Sequence, residues 1–153
     1  RTMDHAVGAL SACRVVTFPH ANLKLITERH PHLTRMLWLM TLLDSAIHRE
    51  WIVAMGRRSA LEQLAHLLCE IFTRFSIVGL GDRDQELILP INQTELGDTL
   101  GLSTVHVNRT LQQLRAERLI TWQGQAVRLL DWDRLARIAQ FDDAYLHLDA
   151  EPR

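Results

Sequence analysis

The sequence predicts a mainly α protein: one long helix followed by a winged helix-turn-helix domain, with two short β-strands at the N-terminus. Three stretches predict it. Residues 92–117, NQTELGDTLGLSTVHVNRTLQQLRAE, read as two short amphipathic helices meeting at a tight turn. Residues 119–130 read as strand, turn, strand. Residues 31–55 carry apolar side chains at alternating spacings of three and four, the pattern of a helix with one apolar seam.

Length and composition bound the reading. The chain has 153 residues, enough for one domain or two small ones, and 47% are hydrophobic, enough for a core. The formal net charge is −1, so no bulk positive charge announces a nucleic-acid partner. Residues 92–128 carry Arg109, Arg115, Arg118 and Arg128 against Glu95, Asp98 and Glu117, a local excess of one positive charge. The two cysteines, Cys13 and Cys69, make no CxxC pair and no disulfide framework, which points to a reduced cytoplasm. Two thiols alone cannot supply a four-thiolate iron–sulfur cluster. No signal peptide stands out, and the most apolar run, residues 36–43, is far too short to span a bilayer.

In chain order, residues 6–10 and 14–18 read as strands, the second stopped by Pro19. Residues 22–30 read as a short helix with Leu23, Leu25 and Ile26 as apolar positions. Pro31 opens the longest helix, in the first turn, where its missing N–H costs nothing. Leu33, Met36, Met40, Leu43, Ile47 and Ala54 form its seam, with Trp51 beside them. A seam over about three heptads is a dimerisation pattern, and two strands are too little to cover it. Gly56 is expected to end the helix, leaving Arg57 and Arg58 at the negative end of its dipole. Ser59 and Glu62 make a capping box for a helix reaching about Phe75. Residues 79–86 form a polar loop and residues 87–91 a short strand.

The central pair follows. Asn92 caps its first helix, and Glu95 three residues later completes a capping box. Leu96 and Leu100 share the inner face. Gly101 takes the left-handed turn that a bulkier residue resists. Ser103 caps the second helix, whose Val107, Leu111 and Leu114 face inward. Helix, glycine turn, serine-capped helix is the pattern of a DNA-reading helix-turn-helix, with an ordinary helical hairpin as the alternative. The β-hairpin directly behind it makes a wing. Asp133 is expected to cap a last helix carrying Leu135, Ile138 and Phe141, with Tyr145 and Leu146 packing back.

These residues carry a resemblance. Thr94-Glu95-Leu96-Gly97, Leu100-Gly101-Leu102-Ser103, Val107-Asn108-Arg109-Thr110-Leu111, Leu114 and Leu119-Ile120 are similar to the DNA-binding part of the Crp/Fnr superfamily of bacterial transcription regulators. The similarity runs over residues 59–148, and the upstream helices match in order and length. It implies a homodimer on an inverted repeat in double-stranded DNA, with RNA polymerase as a further partner and no membrane. It makes residues 31–56 the dimerisation helix and residues 57–153 the DNA-binding domain. Residues 1–30 become a remnant of the sensor β-roll and a short helix. The rest of that roll is absent from this sequence, which is therefore expected to be a fragment. Members that sense cyclic nucleotides hold them in the roll, and those contact residues find no match here, so no cofactor is expected.

The exposed positions on the first two turns of the second helix, Thr104, Val105, Asn108 and Arg109, are the expected base readers. Arg109 matches an arginine position of the family, and arginine grips guanine through O6 and N7. Its competing role is a surface salt bridge with Glu117 or Glu95. Val105 stands where members often carry glutamate, and valine offers only an apolar contact to thymine. Asn108 suits adenine. Gln93 and Ser103 at helix starts, and Arg128 in the wing, are expected on the DNA backbone.

Enzyme chemistry finds no footing. Of eight histidines only His30 and His32 are close, and Pro31 divides them. There is no phosphate-cradling glycine loop, no HExxH and no nucleophile-elbow spacing. Cys69 lies near the apolar face of its helix and reads as core. Two alternatives stay open: a dimeric interaction scaffold that does not read DNA, and a redox or haem sensor module.

Overall fold

The structure, a computed structural model, describes residues 6–82 and 86–148. The chain forms two compact units, residues 1–41 and 42–153.

In the first unit, residues 6–19 are exposed and form neither helix nor strand. The two N-terminal strands expected there do not form. A strand is held by a neighbour's hydrogen bonds, and two isolated segments bury too little to hold each other. Helix α1 (His20–Arg29) starts directly after Pro19, whose carbonyl accepts from Asn22 and Leu23 N–H at 2.9 and 3.2 Å. Helix α2 (Pro31–Arg57) begins with Pro31 as its first residue. The Thr34 hydroxyl donates to the His30 carbonyl at 3.1 Å and steadies the junction.

Helix α2 has 27 residues, so it is about 40 Å long. Gly56 does not end it; the helix runs to Arg57, and Arg58 N–H still reaches the Ala54 carbonyl at 3.1 Å. A helical glycine costs about 1 kcal/mol relative to alanine, less than a completed last turn returns. Ala46 is the helix's buried residue. Leu33, Met36 and Met40 are exposed, and Leu43 and Ile47 are half-buried.

The second unit is the winged helix-turn-helix. Ser59 caps α3 (Ala60–Ile77) with a reciprocal box: its N–H donates to Glu62 Oε2 at 2.6 Å, and Glu62 N–H donates to Ser59 Oγ at 3.4 Å. The same Ser59 N–H holds the Glu62 carboxyl below its usual value. Leu64, Leu68 and Phe72 of α3 form the centre of the core, with Cys69 buried beside them. Strand β1 (Leu87–Ile88) is shorter than expected, since Pro90 cannot donate to a ladder. Helices α4 (Gln93–Leu100) and α5 (Thr104–Ala116) meet at Gly101, whose φ of 65° is the left-handed turn. Strands β2 (Ile120–Gln123) and β3 (Ala126–Leu129) form the wing around Gly124, at φ 58°. The sheet order is β1-β3-β2, all antiparallel, with Trp122 opposite Val127.

Helix α6 (Trp132–Ala139) is capped by Asp131, not by Asp133: Arg134 N–H donates to Asp131 Oδ1 at 3.0 Å. The helix starts earlier than expected, which leaves Asp133 in the first turn, where a carboxylate suits the dipole. A short 3-10 turn (Asp143–Leu146) closes the described chain, with Leu146 buried.

One buried polar node ties three parts of this unit. Glu70, on α3, accepts from Trp51 Nε1 at 3.0 Å, Arg74 Nη1 at 3.0 Å and the Tyr145 hydroxyl at 2.7 Å. Burial, then Glu70, pushes the Tyr145 hydroxyl far above its ordinary value and keeps it a donor. Beside it, buried His66 stacks on Tyr145 and meets Phe141 edge-on. Glu50 and Arg58 form a 2.7 Å ion pair next to this imidazole. His66 Nε2 lies 3.4 Å from Glu50 Oε1 yet lacks hydrogen-bond geometry, so it stays unpartnered.

Candidate nucleic-acid interface

Local sequence builds the interface. Asn92 Oδ1 accepts from Thr94 and Glu95 N–H at 2.9 and 3.0 Å, and Glu95 Oε2 takes the Asn92 N–H at 2.7 Å. These bonds fix the start of α4. Gly97 lets the turn close: a Cβ there would stand 2.6 Å from the Leu102 carbonyl oxygen. Leu102 N–H in turn donates to the Gly97 carbonyl at 2.9 Å. The α5 start is capped by Ser103, whose Oγ accepts from His106 N–H at 3.4 Å and lies 3.1 Å from His106 Nδ1.

Helix α5 is divided lengthwise. Val107, Thr110, Leu111 and Leu114 are buried. Thr104, Val105 and Arg109 are exposed, Val105 at 75%, and Asn108 is half-buried. The four expected base readers therefore share the outer face. The salt bridge that competes for Arg109 does not form: Glu117 pairs with Arg134 at 2.7 Å, and Glu95 is engaged with Asn92.

Gln93 and Ser103 sit at the two helix starts. Arg128 is exposed on β3, opposite Thr121. Arg115 Nη2 donates to the Trp122 carbonyl at 2.7 Å, which holds the wing to α5, and Trp122 Nε1 braces the turn through the Gly124 carbonyl at 3.1 Å. A cleft of about 330 Å³ opens between α4, α5 and the wing, lined by Gln93, Leu96, Arg115 and Trp122. Ala54, expected on the α2 seam, and Trp51, expected beside it, line a small apolar recess with Leu67 of α3.

Two further side chains of this face were not singled out by the sequence. His106 bonds Ser103, and Gln112 Nε2 donates to Asn108 Oδ1 at 3.0 Å. The spacing of four between Asn108 and Gln112 was the available signal. Among the described residues, no group of three His, Cys, Asp or Glu could hold a metal ion. No helix among them is long and apolar enough to cross a membrane.

A capped helix pair, a glycine turn, a sequential hairpin and a polar outer face on the second helix define a winged helix-turn-helix protein. Residues 62–138 match the family model of the Crp-like helix-turn-helix domain, just over half of the chain. The chain belongs to that family. It is 28% identical over 145 residues to the transcriptional activator protein FnrL of Cereibacter sphaeroides, covering 93% of this chain and 58% of that protein. It is 29% identical over 134 residues to the nitrogen fixation regulation protein FixK of Bradyrhizobium diazoefficiens, covering 88% and 54%. The solved structure of FixK2 from Bradyrhizobium japonicum superposes with a TM-score of 0.68 at 26% identity, over 77% of this chain and 57% of that one. The chain thus spans little more than half the length of the curated relatives it matches.

Proposed function

We propose that this chain is the DNA-reading part of a cytoplasmic transcription regulator of Crp/Fnr type that acts as a homodimer. The observation that carries the reading is the divided helix α5: a buried apolar side anchors it, and Thr104, Val105, Asn108 and Arg109 stand together on the outer side. An exposed arginine with no carboxylate partner on a capped helix is suited to guanine in the major groove. Gln93, Ser103 and Arg128 flank that face and act on the DNA backbone.

The domain assignment belongs to the same proposal. Residues 31–56 pair with a second copy through Leu33, Met36, Met40, Leu43, Ile47 and Ala54, with Trp51 beside the seam. Residues 57–153 hold the DNA-binding domain, and residues 1–30 belong to the sensor part. The dimer sets two recognition helices about 34 Å apart on an inverted repeat. RNA polymerase is a further partner in this reading, in keeping with FnrL being named a transcriptional activator.

Selection from random DNA tests the reading. The parent enriches an inverted repeat, and Arg109→Ala loses about 1–3 kcal/mol per half-site at one base pair. Val105→Glu moves the preference at its own base pair toward cytosine, whose N4 amine a carboxylate accepts. An unchanged motif in Arg109→Ala removes this face as the reader.

A further inference from the structure

Asn108 is held on both sides. Its Nδ2 donates to Gln93 Oε1 at 3.2 Å, and its Oδ1 accepts from Gln112 Nε2 at 3.0 Å. Gln93 is the first residue of α4, and Gln112 lies one turn further along α5. Three carboxamides thus form a chain that crosses from one helix of the pair to the other.

The chain restricts what Asn108 can present. A carboxamide has two N–H donors and two acceptor lone pairs. One of each is used within the protein, so one donor and one acceptor remain. An adenine edge requires that combination, at N7 and at the N6 amine. A guanine edge offers two acceptors, O6 and N7. An untethered asparagine turns about its broad terminal torsion and meets either pattern. Here Asn108 cannot turn alone, because its Oδ1 would then face Gln93 Oε1 and its Nδ2 would face Gln112 Nε2.

We propose that Gln93 and Gln112 are positioning residues that hold the Asn108 amide for adenine. The inference rests on α5 reading DNA, as proposed above, and deepens that reading by naming what sets the specificity at one base pair. The Asn108–Gln112 contact alone would be an ordinary pair at spacing four on a helix surface. The link to Gln93, fifteen residues away on α4, is not a local helix feature.

The test compares the parent chain with Gln112→Met, which keeps the reach and removes the donor. Asn108→Ala and the double variant complete a cycle. Each protein is put through selection from random DNA, then competition binding to duplexes altered at one base pair. Asn108→Ala identifies the base pair that Asn108 reads. Gln112→Met is expected to cut the preference for adenine there about fivefold, the effect of one neutral hydrogen bond. The preference at the Arg109 base pair is expected to stay within about twofold. In the Asn108→Ala background, Gln112→Met changes nothing further at that pair. The inference alone is overturned if Gln112→Met keeps the full preference, weakens every base pair alike, or acts equally without Asn108. If Asn108→Ala leaves the motif intact, Asn108 reads no base and the inference falls while the reading through Arg109 stands. If the parent enriches no motif, the reading of α5 fails and takes the inference with it.

Discussion

Gly97 shows how one hydrogen atom decides the turn. Helix propensity alone favours alanine there by about 1 kcal/mol. Against that stands the Leu102 carbonyl oxygen, 2.6 Å from where a Cβ would lie. That neighbour is backbone, held by its own N–H to the Gly97 carbonyl at 2.9 Å, so it cannot swing aside. Overpacking of this kind costs about 1–3 kcal/mol, and the clash wins. Gly97→Ala is expected to lower the urea midpoint at an unchanged slope; a midpoint at or above the parent's would show that the turn yields freely. Residues such as Asn92, Ser59 and Ser103 were legible because a cap binds within three positions of itself. The reason for Gly97 was not, because the oxygen it must admit arrives only after Gly101 has turned the chain. Asp131 was misread as Asp133 for a related reason: two aspartates lie within one turn, and spacing alone does not choose between them.

Helix α2 poses the question of partners. Leu33, Met36 and Met40 are exposed, and so are Leu37, Trp38 and Leu42 around the circumference. A helix apolar on so many sides belongs in an interior or against another chain. Changing Met40 and Ile47 together to glutamate places like charges on the proposed seam, where burial without partners is costly. Sedimentation analysis is expected to show the double variant at half the parent's mass; equal masses would exclude the seam as the interface. The length of α2 was legible from its three-and-four spacing. Its end was not, because Gly56 was read as a stop when the Ala54 carbonyl still had a donor in reach. The N-terminal strands failed on the same scale: β pattern is local, but a strand also requires neighbours to accept its hydrogen bonds.

The whole of the second unit answers to pH through His66. Burial, and then the positive charge of Arg58, hold its imidazole below the ordinary value, while Glu50 and Glu70 pull the other way. The folded state therefore favours the neutral ring. Its contribution is present in full above the unfolded value of about 6.5 and is lost as pH falls through the lower folded value. The parent's melting temperature is expected to drop more steeply than that of His66→Gln between neutral and mildly acid pH. Parallel curves would mean that other groups carry the acid sensitivity. Little of this was visible in the sequence. His66 and Glu70 lie one turn apart on α3, but Glu50 and Arg58 belong to the end of α2 and Tyr145 to the far end of the chain, and no local pattern announces that the three meet.

The Glu70 node also sets where this protein can be cut. Excising the winged helix at Ser59, where α3 begins, discards both Trp51 and Glu50. Glu70 then keeps two of its three donors, and Arg58 goes with its partner. The tail of α2 is thus part of the cassette, and anyone grafting this module onto another protein must carry it along. A chain starting at Leu42 is expected to melt cooperatively and later than one starting at Ser59, as read by tyrosine burial at Tyr145.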